Sequence, residues 1–365
     1  MVKNIAAWSG VLAAVTLAAC TGSAGNHSPA ATGSPPAATG SPPSAPASAP
    51  AGQAAQAQAL QRTFVGVIGR MLPSVVEIRT SGGLGSGVVF DSAGDIVTNA
   101  HVVGSSRQFS VLISGAAAPR TATLVGKYAP DDLAVIKVGD ASGLRAAVFA
   151  NSAKLQVGDI VLAIGTPLGL ESSATEGIVS AVGRTVSEPA GEGSPGATLP
   201  DTIQTSAAIN PGNSGGALVN LASQVVGIPT LAATDAQLGG AAAGIGFAIS
   251  SNTAKLIATQ LVRTGKVTNS GRAALGVQVT TEIGPHGAPA GAAVAAVTKN
   301  GPAAKAGIVT GDVITAVNGR PTPDAQTLAQ VLAGLRPGDV AKVSLSRANG
   351  TKSALNVRLG QLPAR

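Results

Sequence analysis

A chain of 365 residues that is 45% hydrophobic can build two or three domains, each with its own core. Aromatic residues make up 2% and charged residues 11%, and no nucleic-acid motif is present, which argues against a nucleic-acid partner. The single cysteine, Cys20, excludes an internal disulfide.

The net charge of +7 is unevenly spread. From Lys266 onward there are eleven Lys and Arg against four Asp and Glu; Arg62–Gly265 carries twelve against thirteen. A basic last domain suits acidic peptide tails or an anionic envelope surface, and equally plain solvation.

The chain opens with "MVKNIAAWSGVLAAVTLAAC". One positive charge, Lys3, precedes an apolar run from Ile5 to Ala19. That run is shorter than the roughly 20 residues of a membrane span and suits the apolar region of a secretory signal. Leu17-Ala18-Ala19-Cys20 resembles the lipobox of bacterial lipoproteins. The resemblance implies that residues 1–19, with Trp8, are removed. Cys20 is then lipidated, and the folded part sits on the outer face of a bacterial membrane or in a periplasm. Residues 20–58 are rich in Ala, Pro, Ser, Gly and Thr without apolar period, the composition of a disordered tether. Such a tether spans roughly 35 Å as a flexible coil and up to about 120 Å as polyproline II. His27 lies in it and is expected to be inert.

Gln53–Leu72 reads as a helix that frays into the tether and ends at Pro73. Short runs rich in β-branched residues follow, among them "SVVEIRT", "SGVVF", "DIVTNA", "LAVIKV", "DIVLAIG", "GALVN" and "IGFAIS". Gly, Pro, Asn and Asp separate them, and no helices intervene. This pattern predicts antiparallel barrels or a sandwich. Phe90–Asp95 reads as a hairpin turn, and Thr185–Pro200 and Thr230–Gly244 as glycine- and alanine-rich loops. A helix from Ser251, with Ser251 or Asn252 as its N-cap, ends at Gly265 and closes a first unit over 59–265. A second unit over 273–362 alternates strands with two helices, "GPAAKAG" and "DAQTLAQVLAGL". It predicts a small mixed α+β domain.

"GNSGG" places Ser214 among glycines and also reads as G-x-S-x-G. A serine nucleophile needs a base and a group that orients the base. The chain has three histidines. His27 is in the tether and His286 is in a Gly/Pro loop of the second unit; His101 closes a strand of the first. An α/β-hydrolase elbow requires a helix after the serine and a histidine downstream. Here Gly215-Gly216 and strand-like "ALVN" follow, so that architecture is rejected. The order His, Asp, Ser fits His101 and Ser214 with the acid between them. The candidates are Asp131, Asp132, Asp140, Asp159 and Asp201. Asp132 opens the strand "LAVIKV", and spacing does not separate it from Asp131. Gly212 and Gly215 let the backbone turn so that the Gly212 and Ser214 N–H groups face one oxyanion.

"TNAHVV", "DDLAVIKV" and "IQTSAAINPGNSGGALVN" together resemble the HtrA (DegP-like) serine proteases over about residues 62–362. "GIGFAI" and the helix after it also look like that family. The resemblance implies a mainly β fold, with two six-stranded chymotrypsin-like barrels and the site between them. It places the acid directly before "LAV", which selects Asp132. It implies cleavage of unfolded or damaged proteins after small aliphatic residues, without metal or cofactor.

The second unit then resembles a PDZ domain. Leu275, Gly276 and Val277 stand where a peptide carboxylate is captured, and "GPAAKAGIVTGDVITAVNGRP" matches the segment that follows. Ser206 stands where the family commonly has Asp, a change expected at activation loops. Family members assemble as trimers through aromatic residues near the protease N-terminus, and only Phe64 is available here. The rival reading is a PDZ-bearing chaperone or scaffold with a silent protease domain.

Overall fold

The computed structural model describes residues 51–362, apart from 81, 115, 117, 167–172, 189–196, 211, 236–239 and 286. The segment read as a signal, with Trp8 and Cys20, and the histidines His27 and His286 lie outside the described residues. From Ala51 onward the chain packs as one unit.

Helix α1 (Ala51–Met71) stops at a 3-10 turn containing Pro73. It begins within the segment read as tether, so residues 51–58 are helical. Its first half is exposed. Phe64, Val67, Ile68 and Met71, at helical spacing, turn one stripe into the core.

Six strands then close a first barrel: β1 (Val75–Thr80), β2 (Gly83–Val89), β3 (Asp95–Thr98), β4 (Gln108–Ile113), β5 (Arg120–Tyr128) and β6 (Leu133–Val138). Their order around the ring is β1-β2-β3-β6-β5-β4. The β2–β3 hairpin turns at Phe90–Asp95, as expected, with Phe90 N–H on the Asp95 carbonyl at 2.7 Å. The interior is filled by Val76, Ile78, Ile96, Val111 and Ile136. It is tight enough that a Cβ on Gly87 would meet Ile96 at 2.5 Å. A single helical turn, α2 (Ala100–Val103), leaves the end of β3.

The second barrel uses β7 (Val148–Phe149), β8 (Ile160–Gly165), β9 (Ser173–Glu188), β10 (Ala197–Thr205), β11 (Ala217–Asn220), β12 (Gln224–Asp235) and β13 (Gly240–Ser250). The order β11-β8-β9-β10-β13-β12 is closed by a β11–β12 pairing, and two-residue β7 adds parallel to β12. The segments read as loops are largely hairpin arms. Glu188 pairs with Ala197, and Asp235 with Gly240. Glycine, alanine and polar residues hid these strands, because they weaken the apolar alternation by which a strand is read.

Helix α3 (Ser251–Thr264) is capped one residue earlier than expected. The Ser250 side chain accepts from Thr253 N–H, and Gly265 ends the helix at φ 69°. Ala254, Ile257, Ala258 and Leu261 pack it into a core shared with α1 and both barrels.

The last domain has its own core, including Leu275, Val294, Ile314, Leu328 and Val343. Its elements are β14 (Ala273–Ala274), β15 (Val277–Ile283), β16 (Pro289–Val297), α4 (Pro302–Ala306), β17 (Val313–Val317), β18 (Arg320–Pro321), α5 (Ala325–Ala333), β19 (Val340–Ser346), β20 (Lys352–Arg358) and β21 (Gly360–Gln361). The sheet runs β15-β16-β17-β19-β20 with β15 at one edge, and β14 pairs with β21 in a separate ribbon. The observed fold is therefore the expected one: mainly β, a double barrel followed by a small α+β domain.

Candidate active site

Asp132 is the centre of the site. It follows the 3-10 turn Ala129–Asp131 and adopts left-handed φ 48°, ψ 43°. That conformation swings its carboxylate away from its neighbour's. Asp132 is buried. Its Oδ1 accepts the His101 backbone N–H at 2.9 Å, and its Oδ2 faces His101 Nδ1 at 2.8 Å. Its carbonyl accepts from Ala100 N–H at 3.1 Å and from Asn99 Nδ2 at 3.0 Å. The first barrel thus locks His101 to Asp132 through both main chain and side chain. In the tautomer that donates from Nδ1 to the carboxylate, Nε2 is the acceptor nitrogen of the ring.

The other candidate acids are engaged elsewhere. Asp131 pairs with Arg272 at 2.8 Å. Asp140 caps Ser142, Asp159 accepts from Gln156 N–H, and Asp201 accepts from Ser250. Burial pushes the Asp131 carboxyl up to about 6 against the pull of Arg272.

Ser214 lies in the turn before β11, on the second barrel. Gly212 and Gly215 have φ 103° and 82°. Gly215 has no room for a side chain: a Cβ there would meet the Ser86 carbonyl at 2.2 Å and Thr98 Oγ1 at 2.4 Å. This close approach presses the serine turn against the end of β3, three residues before His101. A strand, β11, follows Ser214, as the rejection of the α/β-hydrolase elbow required.

Two residues unnoticed in the sequence join the halves. Thr230 on β12 donates its hydroxyl to Asp132 Oδ2 at 2.6 Å, and its carbonyl accepts from Ser214 Oγ at 3.2 Å. Ser86 on β2 donates to the Gly212 carbonyl at 2.6 Å and accepts from Thr166 N–H at 2.9 Å; its N–H bonds the Ser214 carbonyl at 2.9 Å. A serine inside a buried strand was the available signal for Ser86. For Thr230, in "GIPTLAA", there was none.

Ser206 sits at the β9–β10 seam, where its hydroxyl accepts from Ile178 N–H at 3.0 Å. Ile209 is buried and lies against Gly246, where a Cβ would stand 2.4 Å from its side chain. Among the described residues no cluster of three or more His, Cys, Asp or Glu is placed to hold a metal ion.

In the last domain Gly276 has φ 73°, and a Cβ there would meet Pro302 at 3.2 Å. The Leu275 carbonyl accepts from Ala303 N–H and the Gly276 carbonyl from Thr298 N–H, each at 2.8 Å. These bonds fix a loop that leads through Val277 into edge strand β15. Helix α5 lies beside that strand, with Ala325 N–H on Thr281 Oγ1 at 3.3 Å.

Comparison with known proteins agrees with this anatomy. A trypsin-like peptidase domain matches residues 85–228, and a PDZ domain matches residues 273–359. The serine protease PepD of Mycobacterium tuberculosis is 40% identical over 313 residues, covering 81% of this chain and 65% of that protein. The serine protease Do-like HtrA of Lactobacillus helveticus is 40% identical over 291 residues, covering 75% of this chain and 68% of that protein. A probable periplasmic serine endoprotease of Pseudomonas putida, DegP-like, is 39% identical, and this chain spans only 57% of its length. Among solved structures, the HtrA-type protease AlgW with a decapeptide aligns at TM-score 0.57 and 31% identity, covering 83% of this chain and 99% of that one.

Proposed function

Because the chain belongs to the HtrA family of PDZ-bearing serine proteases, we propose that it is a membrane-tethered serine endopeptidase of the cell envelope. Ser214 attacks the scissile carbonyl, and His101 takes its proton at Nε2 and returns it to the leaving amine. Asp132 holds the imidazole tautomer, and the Gly212 and Ser214 N–H groups take the oxyanion. The observation that carries this reading is the His101–Asp132 lock, two hydrogen bonds at 2.9 and 2.8 Å, with the Thr230 hydroxyl donating to the same Asp132 oxygen that faces the ring.

The substrates are unfolded or damaged proteins. Cleavage after small aliphatic residues is what the family resemblance implies. The PDZ domain takes peptide C-termini as a strand added to β15, with the carboxylate at Leu275, Gly276 and Val277. The lipobox-like segment supports a lipid on Cys20. The periplasmic designation of several relatives supports a location outside the cytoplasm. Phe64 is half-buried against the chain's own core, which leaves it little surface for a homotrimer.

One observation favours the rival, a PDZ-bearing chaperone or scaffold with a silent protease domain. The Ser214 hydroxyl donates to the Thr230 carbonyl, a bond it must give up to reach His101. Incubation with an unfolded model protein, beside Ser214→Ala, separates the two. Cleavage by the wild type alone supports the protease. Equal inertness of both proteins, with peptide binding intact, selects the scaffold.

A further inference from the structure

Arg272 belongs to the last domain by its main chain and to the protease by its side chain. Its carbonyl accepts from Leu362 N–H at 2.9 Å, extending the β14–β21 ribbon. Its guanidinium donates through Nη1 to the Pro130 carbonyl and to Asp131 Oδ1. The side chains of Arg272 and Asp131 are only 11% and 2% exposed, so this is an interior ion pair. Resting on the triad reading above, we propose that Arg272 is a positioning residue for catalysis: it pins the turn that presents Asp132 to His101.

The argument is one of leverage. A non-glycine residue in left-handed conformation is strained, so the neighbouring structure must hold Asp132 there. From one side its carbonyl is held by Asn99 and Ala100. From the other it is delivered by the Ala129–Asp131 turn, whose closing bond is Asp132 N–H to the Ala129 carbonyl at 3.0 Å. Arg272 grips the last two residues of that turn. Among the described residues Asp131 Oδ2 has no hydrogen-bond partner, so Arg272 is the carboxylate's one side-chain anchor.

Arg272 is itself held. Gln260 on α3 accepts from the Thr268 and Asn269 N–H groups at 3.0 and 2.8 Å and donates to the Asn269 carbonyl at 2.7 Å. The linker before Arg272 is thereby clamped to the protease. The chain of contacts runs from the PDZ ribbon to Arg272, then to Asp131 and Pro130, and so to Asp132 and His101. Asp131, raised to about 6, loses its charge and its hold on Arg272 below that pH. The charged group that acts on its ionisation is Arg272, and Asp131 in turn adds to the burial that raises the Tyr128 hydroxyl. β10, packed on the same turn, brings Asp201, whose carboxylate accepts from Ser250.

The test uses the full chain and the variants Arg272→Gln, Arg272→Lys, Asp131→Asn and the Arg272→Gln/Asp131→Asn double. kcat and KM on a quenched-fluorescence peptide are measured from pH 5 to 8, per active site titrated with a phosphonylating reagent, with unfolding temperatures alongside. Misplacement of the triad acid by about 1 Å corresponds to a loss on the order of 10²-fold. We expect Arg272→Gln to lose about 10- to 100-fold in kcat at unchanged KM, with Lys restoring part. The double variant should exceed Arg272→Gln, because an amide pair replaces the bond without stranding a buried carboxylate. The acid limb of the wild type should be steeper than one proton, and that of Asp131→Asn should show one. Wild-type kcat per titrated site and an unchanged acid limb in Arg272→Gln and Asp131→Asn, even with lower unfolding temperatures, would overturn the proposal. A wild type that neither cleaves nor titrates removes the triad reading itself, and the positioning role with it.

Discussion

Asp132→Asn isolates what the acid does, because the geometry dictates which way the amide must sit. Oδ1 accepts a backbone N–H from His101, while Oδ2 accepts from Nδ1 and from the Thr230 hydroxyl. An asparagine avoids a donor–donor clash with the backbone N–H only by keeping its oxygen on that side. Its NH₂ then faces Nδ1 and Thr230. The Thr230 hydroxyl turns to accept, and Nδ1 must accept as well. The ring proton is therefore driven to Nε2, where it blocks uptake of the serine proton. The count of hydrogen bonds is preserved, so the unfolding temperature should move by only a few degrees. Catalysis loses both the correct tautomer and the charge that stabilises the imidazolium. That combination is worth about 10⁴-fold in kcat, or between 5 and 6 kcal/mol. Single-turnover hydrolysis of a peptide ester by wild type and variant, with thermal unfolding in parallel, measures both quantities. A loss in kcat below about tenfold with intact folding would refute the assignment of Asp132.

Three further predictions follow from the same geometry. Ser86→Ala strands the buried Gly212 carbonyl and Thr166 N–H; at about 1–3 kcal/mol each, stability should fall by roughly 2–6 kcal/mol in urea titration, with kcat falling too. Burial raises Asp131 from 3.8 to about 6, so the folded chain binds this proton more tightly than the unfolded one. The stability linked to it is present below about pH 4 and lost as pH rises through 6, a difference of about 3 kcal/mol. Asp131→Asn should lack that dependence when unfolding is compared between pH 4 and 7. Gly276→Ala, at φ 73° and 3.2 Å from Pro302, should weaken binding of C-terminal peptides at least fivefold by calorimetry while leaving cleavage of a short peptide unchanged.

Much of the fold and site was legible because function here rests on contiguous residues. "TNAHVV" and "GNSGG" each carry a candidate side chain with the turn that holds it, and β-branched runs between glycines announce barrels. What escaped depended on side chains that meet only in space. Asp131 and Asp132 are adjacent and chemically alike, and a 3-10 turn with one left-handed residue sends one to His101 and the other to Arg272. Arg272 looked like one more charge in a basic domain, although it is buried across a domain boundary. Thr230 follows a proline in a glycine-flanked strand and shows nothing of its two partners. The long arms of β9 and β12 were read as loops because their glycine, alanine and polar residues carry no clear apolar alternation. The α3 cap moved by one residue because three adjacent residues, Ser250, Ser251 and Asn252, all have capping side chains.

The most direct test of the central claim is the chemistry of Ser214 itself. The full chain is incubated with a fluorophosphonate reagent and the modified residue is located by mass spectrometry. The account predicts one adduct, on Ser214, absent from Ser214→Ala and strongly slowed in His101→Ala. An unmodified chain, or an adduct on another serine while Ser214 stays untouched, would contradict it.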